Sequence, residues 1–217
     1  MSTRKRVICL ALAPLLLSSC ATMDEKTQGA AVGAALGCAA GALLAQVTSN
    51  DPGTACAAGA VVGGLIGYQR ARNNEIEEAR KAAEATTTSV AGAKTTPVQT
   101  EVVQVTDKES GKTEPVKAFK SVSVDIPVSQ LNTAEGREAM RKLNDYARKV
   151  ATERGETVDM TVAVAPDKTG KTKVATQQTR EAAGKGAVVR NVVADTRIPP
   201  NVQRVTIEVK NPSRIEV

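Results

Sequence analysis

Covalent chemistry in this chain rests with four cysteines, at positions 9, 20, 38 and 56. Cys9 sits inside an apolar run from Val7 to Leu17, and Cys20 closes the small-residue stretch Leu17-Ser18-Ser19 that follows it. Cys38 and Cys56 stand among alanines and glycines, where a cysteine acts as a small apolar residue. Histidine is absent from all 217 residues, and no Cys/Asp/Glu cluster has ligand spacing. That weighs against a zinc or haem site and against His-based acid–base catalysis. No nucleophile–base pair can be named, so neither an enzyme nor a cofactor is expected.

These residues must be placed by elements. The first is a signal peptide over 1–19, with Arg4-Lys5-Arg6 ahead of an apolar run too short for an ordinary span. Leu17-Ser18-Ser19-Cys20 resembles the lipobox of bacterial lipoproteins. The resemblance implies that Cys20 is acylated and becomes the first mature residue. Ala21 is not the aspartate that favours inner-membrane retention, so an outer-membrane anchor facing the periplasm is implied. Several acyl chains give stable anchoring. Residues 20–28 would be a tether.

The second is built on glycine. Gly29, Gly33, Gly37 and Gly41 recur every four residues, and Gly59, Gly63 and Gly67 do so again. Such spacing puts each set on one stripe of a helix and leaves a groove without side chains. The turn-forming stretch 47–53 lies between the runs, so a helical hairpin is expected over 29–84, its charged end leading into water. About residue 50, positions pair at a constant sum of 100, matching 33 with 67, 37 with 63 and 41 with 59. In that register Cys38 and Cys56 lie about 9 Å out of step and no bridge between them is expected. Bilayer contact and homo-oligomers follow as expectations. Net charge falls from +6 to about +3 once Arg4, Lys5 and Arg6 are removed, and aromatics are scarce, which argues against nucleic acid.

Residues 85–118 read as a linker with a possible hairpin between 100–106 and 116–123. From Phe119 to Val217 an α+β domain is expected. Val122, Val124, Ile126 and Val128 alternate as a strand, and Asn132 with Glu135 opens a helix that Gly155 ends. Val158 to Val164 alternates again. A second helix is expected over 173–195, with Ala182, Gly186, Val189 and Val193 inward, and Val205, Ile207 and Val209 make a third strand. The order is a βαβαβ two-layer sandwich behind a glycine-zipper helical hairpin.

Behind its lipobox and zipper, this domain resembles the OmpA-like peptidoglycan-binding family. The family's loop has the form DxxGxxxxNxxLSxxRAxxV, whose aspartate and arginine grip the diaminopimelate of the peptide stem. Pro166-Asp167-Lys-Thr-Gly170 keeps the aspartate and glycine. Ala175 replaces the asparagine, and the arginine's counterpart is Lys185, if about three residues are inserted, or Arg180. The resemblance implies that Asp167 accepts from an ammonium while Lys185 or Arg180 holds a carboxylate. A net +5 over 119–217, counted from the sequence, would favour an anionic polymer by charge alone. The reading is a non-enzymatic outer-membrane lipoprotein tying the envelope to peptidoglycan. The alternative is an oligomeric assembly subunit, zipper-mediated, that has lost its ligand.

Overall fold

The computed structural model describes residues 34, 38, 52–108, 111–166, 177–211 and 214–216. Its elements run α1 (Pro52–Ser89), β1 (Lys94–Thr95), β2 (Gln99–Thr106), β3 (Thr113–Pro127), α2 (Ala134–Arg154), β4 (Thr157–Val164), β5 (Gln177–Ala183), β6 (Gly186–Ala194), β7 (Val202–Val209) and β8 (Arg214–Glu216). The strands form one curled mixed sheet, a half-barrel, in the order β5-β6-β4-β7-β3-β2-β8, with β1 beside β3. β7 is antiparallel to both β3 and β4, and β6 is parallel to β4.

Both helices cover one face of that sheet. Val122, Val124 and Ile126 of β3, Val158 and Met160 of β4, and Val205, Ile207 and Val209 of β7 bury under them. The period of two in these strands is what one covered face requires. From above, α2 contributes Ala139, Leu143, Ala147 and Val150, and α1 contributes Ala79 and Ala83. Alanines let the helices sit close, and the single phenylalanine fills the middle: Phe119 meets Tyr146 edge-on at 6.1 Å between ring centres. The core therefore crosses position 119, where a domain was expected to begin. Residues 100–106 do pair with β3, with Val103 opposite Val116.

The cap of α2 falls one residue from its expected place. Thr133, not Asn132, is the N-cap and accepts from the Gly136 amide at 3.0 Å; Gly155, at φ 63°, ends the helix.

The expected second helix is absent. Residues 173–176 lie outside the described set, and 177–194 form an antiparallel β5–β6 hairpin turning at Gly184. Two physical reasons decide it. Val188, Val189, Val192 and Val193 are β-branched and suit a pleated surface better than a helix. Gly184 adopts φ 57°, and a Cβ there would stand 2.8 Å from Thr152 Cγ2; at Gly186 it would stand 2.2 Å from the Ala151 carbonyl oxygen. The two glycines let the turn press against the end of α2. The chain thus has a half-barrel sheet with one crossover helix between β3 and β4, not a βαβαβ two-layer domain.

Candidate functional site

Helix α1 joins the glycine-rich part of the chain to the sheet, and its faces divide the work. Leu65 and Tyr68 bury against Val103, Val105, Val116 and Ala118; further along, Ala79 and Ala83 enter the main core. At 100° per residue, Gly59, Gly63 and Gly67 fall on the opposite side of the helix from Leu65, Tyr68 and Ala79. All three glycines are half-buried. A third side carries Val62 and Ile66, which are 49% and 53% exposed.

One turn past the last glycine, α1 is locked by a buried polar network. Arg72 is 1% exposed; its Nε and Nη2 donate to the Tyr68 hydroxyl at 2.9 and 2.8 Å, and its Nη1 donates to Glu75 Oε2 at 2.8 Å. Arg154, at the end of α2, donates to both Glu75 oxygens, to Asn211 Oδ1 and to the Phe119 carbonyl. Asn211 in turn donates to Glu101 and Phe119. Two guanidiniums share one buried carboxylate, and Glu156 stands 3.6 Å from Arg154 as a second counter-charge. Burial pushes the Glu75 carboxyl up, but the hydrogen bonds and charges of Arg154 and Arg72 outweigh it and hold it below its usual value. Burial, only partly offset by Arg72, raises the Tyr68 phenol.

A signal for this network lies in the helical spacing of the residues that form it. Tyr68, Arg72, Glu75, Ala79 and Ala83 recur at helical spacing, and all but Tyr68 fall in the charged extension expected to lead into water. A cleft of about 170 Å³ opens beside the network, lined by Arg72, Asn74, Lys81 and several glutamates. Its charges largely neutralise one another. Among the described residues no group of three His, Cys, Asp or Glu could hold a metal.

Cys38 and Cys56 form a disulfide, with their Cα atoms 3.9 Å apart. The reading against a bridge is overturned, and so is the register it rested on. A bridge sets 38 level with 56, a sum of 94, and that is incompatible with pairing 37 to 63 and 41 to 59. The spacing every four residues shows where the stripes are but not how far one slides along the other.

The other expected site residues are scattered. Cys20, Gly29, Gly33, Gly37, Gly41 and Asp167 lie outside the described residues. Arg180 is exposed in the middle of β5, opposite Val189. Lys185 is exposed in the β5–β6 turn, at the end of the sheet where β4 begins; Val164 and Pro166, just before Asp167, leave at the other end. A strand of eight residues separates those ends by roughly 23 Å. Lys185 is therefore not brought to the exit of β4, where the family-like claw would need it.

Residues 1–75 match the model of the YMGG-like Gly-zipper family. The amino-terminal third is a glycine zipper. The match runs past Gly67 through Tyr68 and Arg72 to Glu75, so the zipper model takes in most of the α1 side of the buried network. No curated protein and no solved structure matches the chain. Among the described residues no helix is long and apolar enough to cross a membrane.

Proposed function

We propose that this protein is a non-enzymatic envelope lipoprotein, acylated at Cys20 and held at the outer membrane, in which the glycine zipper serves as a packing element for a homo-oligomeric or mixed assembly. One observation carries the reading. A single unbroken helix bears the zipper glycines on one side and is sunk into the folded domain on the other. The zipper is thereby presented as a rigid edge of the domain instead of a loose tail. The lipobox supplies the anchor, and the lack of any nucleophile–base pair in the sequence supports a structural role.

The experiment has two arms. Cys20→Ala should abolish acyl labelling and release the protein from the membrane fraction; continued labelling contradicts the anchor. Gly63→Leu in the acylated protein should abolish the cross-linked oligomers of the wild type, and unchanged oligomers contradict zipper-mediated assembly. Peptidoglycan binding is a second reading, favoured by the net +5 of 119–217. With Lys185 far from the exit of β4, such binding would be electrostatic and lost at moderate salt.

A further inference from the structure

The zipper glycines and the folded domain lay claim to the same stretch of α1. Leu65 is 4% exposed and Tyr68 is 1% exposed, both against β2 and β3, and Arg72 is locked to Glu75 and Tyr68 one turn on. Before Leu65 the helix has only 52–64 to offer a bilayer. Thirteen residues reach about 20 Å at 1.5 Å each, whereas the hydrocarbon core is about 30 Å thick and takes about 20 residues. A span beginning at Pro52 would run to residue 71. It would strip Leu65 and Tyr68 from Val103, Val105, Val116 and Ala118, and bring Arg70 into the apolar layer. The alternative is open to the helix as it stands, because Val62 and Ile66 lie exposed on the side facing neither sheet nor glycine stripe.

We infer that α1 does not cross the bilayer: it lies on the membrane surface, with its Pro52 end on the same side as the sheet and with Val62 and Ile66 meeting lipid. This rests on the lipid-anchored reading above, and the docking of α1 sets the limit.

The test uses full-length acylated protein in vesicles of mixed phosphatidylethanolamine and phosphatidylglycerol, with the 38–56 disulfide intact. One variant carries Thr54→Cys in the first turn of α1, and a second carries Lys210→Cys just past the end of β7. Vesicles are floated first, so loss of flotation counts against the anchor and is scored apart from sidedness. On floated vesicles an impermeant maleimide should label both positions to the same extent. Labelling of Lys210→Cys with protection of Thr54→Cys until the vesicles are lysed overturns the inference. A third variant, Leu65→Cys, reads docking with or without vesicles. It should react at least tenfold more slowly than Lys210→Cys, and equal reactivity overturns the inference even in protein that does not float.

Discussion

Glu75 illustrates why a carboxylate can be worth more inside this protein than on its surface. The surface pairs, such as Arg141 with Glu138 and Asp145 or Arg80 with Glu77 and Glu84, sit in water, where solvent and salt screen them and each contributes little. Glu75 is 8% exposed and is shared by two guanidiniums that are themselves almost wholly buried. Removing one partner of such a set leaves an uncompensated charge, which costs about 3–5 kcal/mol. Glu75→Gln should therefore lower stability at pH 7 by that order, read as a shift in the denaturant midpoint. Its pH dependence has a definite sign. The folded carboxyl lies below its usual value near 4.5, so the contribution is present above about pH 4.5 and is lost as pH falls through the depressed folded value. The gap between wild type and Glu75→Gln should close in acid, and a gap that stays constant down to pH 2 would assign the stabilisation to packing. A Cβ at Gly186 would press on the backbone oxygens of Ala151 and Glu156, so Gly186→Ala should destabilise despite alanine's better intrinsic propensity, by about 1–3 kcal/mol.

Elements were legible wherever one local pattern decided them. Alternation from Val122 to Ile126, from Val158 to Val162 and from Val205 to Val209 gave three strands with their buried faces, and Gly155 marked the end of α2. The helix expected over 173–195 misleads because Ala182, Gly186, Val189 and Val193 also fit a helical stripe. Beyond the β-branched valines, what excludes the helix is tertiary: the two glycines are shaped by Thr152 and Ala151 on another element. The partner of the charged end of α1 was equally hidden, since Arg154 lies 79 residues from Glu75. The candidate claw went unfulfilled for a related reason, as replacing a crossover helix by a hairpin carries Lys185 to the far end of the sheet. The zipper register can be tested by crosslinking. Carried outward from the 38–56 bridge, the sum of 94 sets Gly59 opposite position 35. In a background lacking both native cysteines, Ala35→Cys with Gly59→Cys should crosslink several-fold better than Gly41→Cys with Gly59→Cys. The reverse order would restore the glycine-to-glycine register.

The boundary expected at residue 119 cuts through the core. A fragment of 119–217 keeps α2, β4, β6 and β7 but loses α1, β2 and the start of β3. Val122, Val124 and Ile126 would lose Ala79, Ala83 and Val90 from above them, and β3 would lose the strand that pairs its outer edge. Arg154, 5% exposed in the intact protein, would lose both oxygens of Glu75, and Asn211 would lose Glu101. The lost ion pair alone is about 3–5 kcal/mol, against a net stability of about 5–15 kcal/mol for a typical domain. Uncovering several core side chains adds roughly 1–3 kcal/mol each. The fragment should therefore give no cooperative thermal transition and a poorly dispersed amide spectrum. A 52–217 chain, which keeps all of α1, should show both a single transition and good dispersion. If 119–217 melts cooperatively, the zipper helix is an attachment to a self-sufficient domain and its docking is reversible. If it does not, the helix that presents the glycines is itself a structural wall of the domain, and stress applied to the zipper is borne by the core through Tyr68, Arg72 and Glu75.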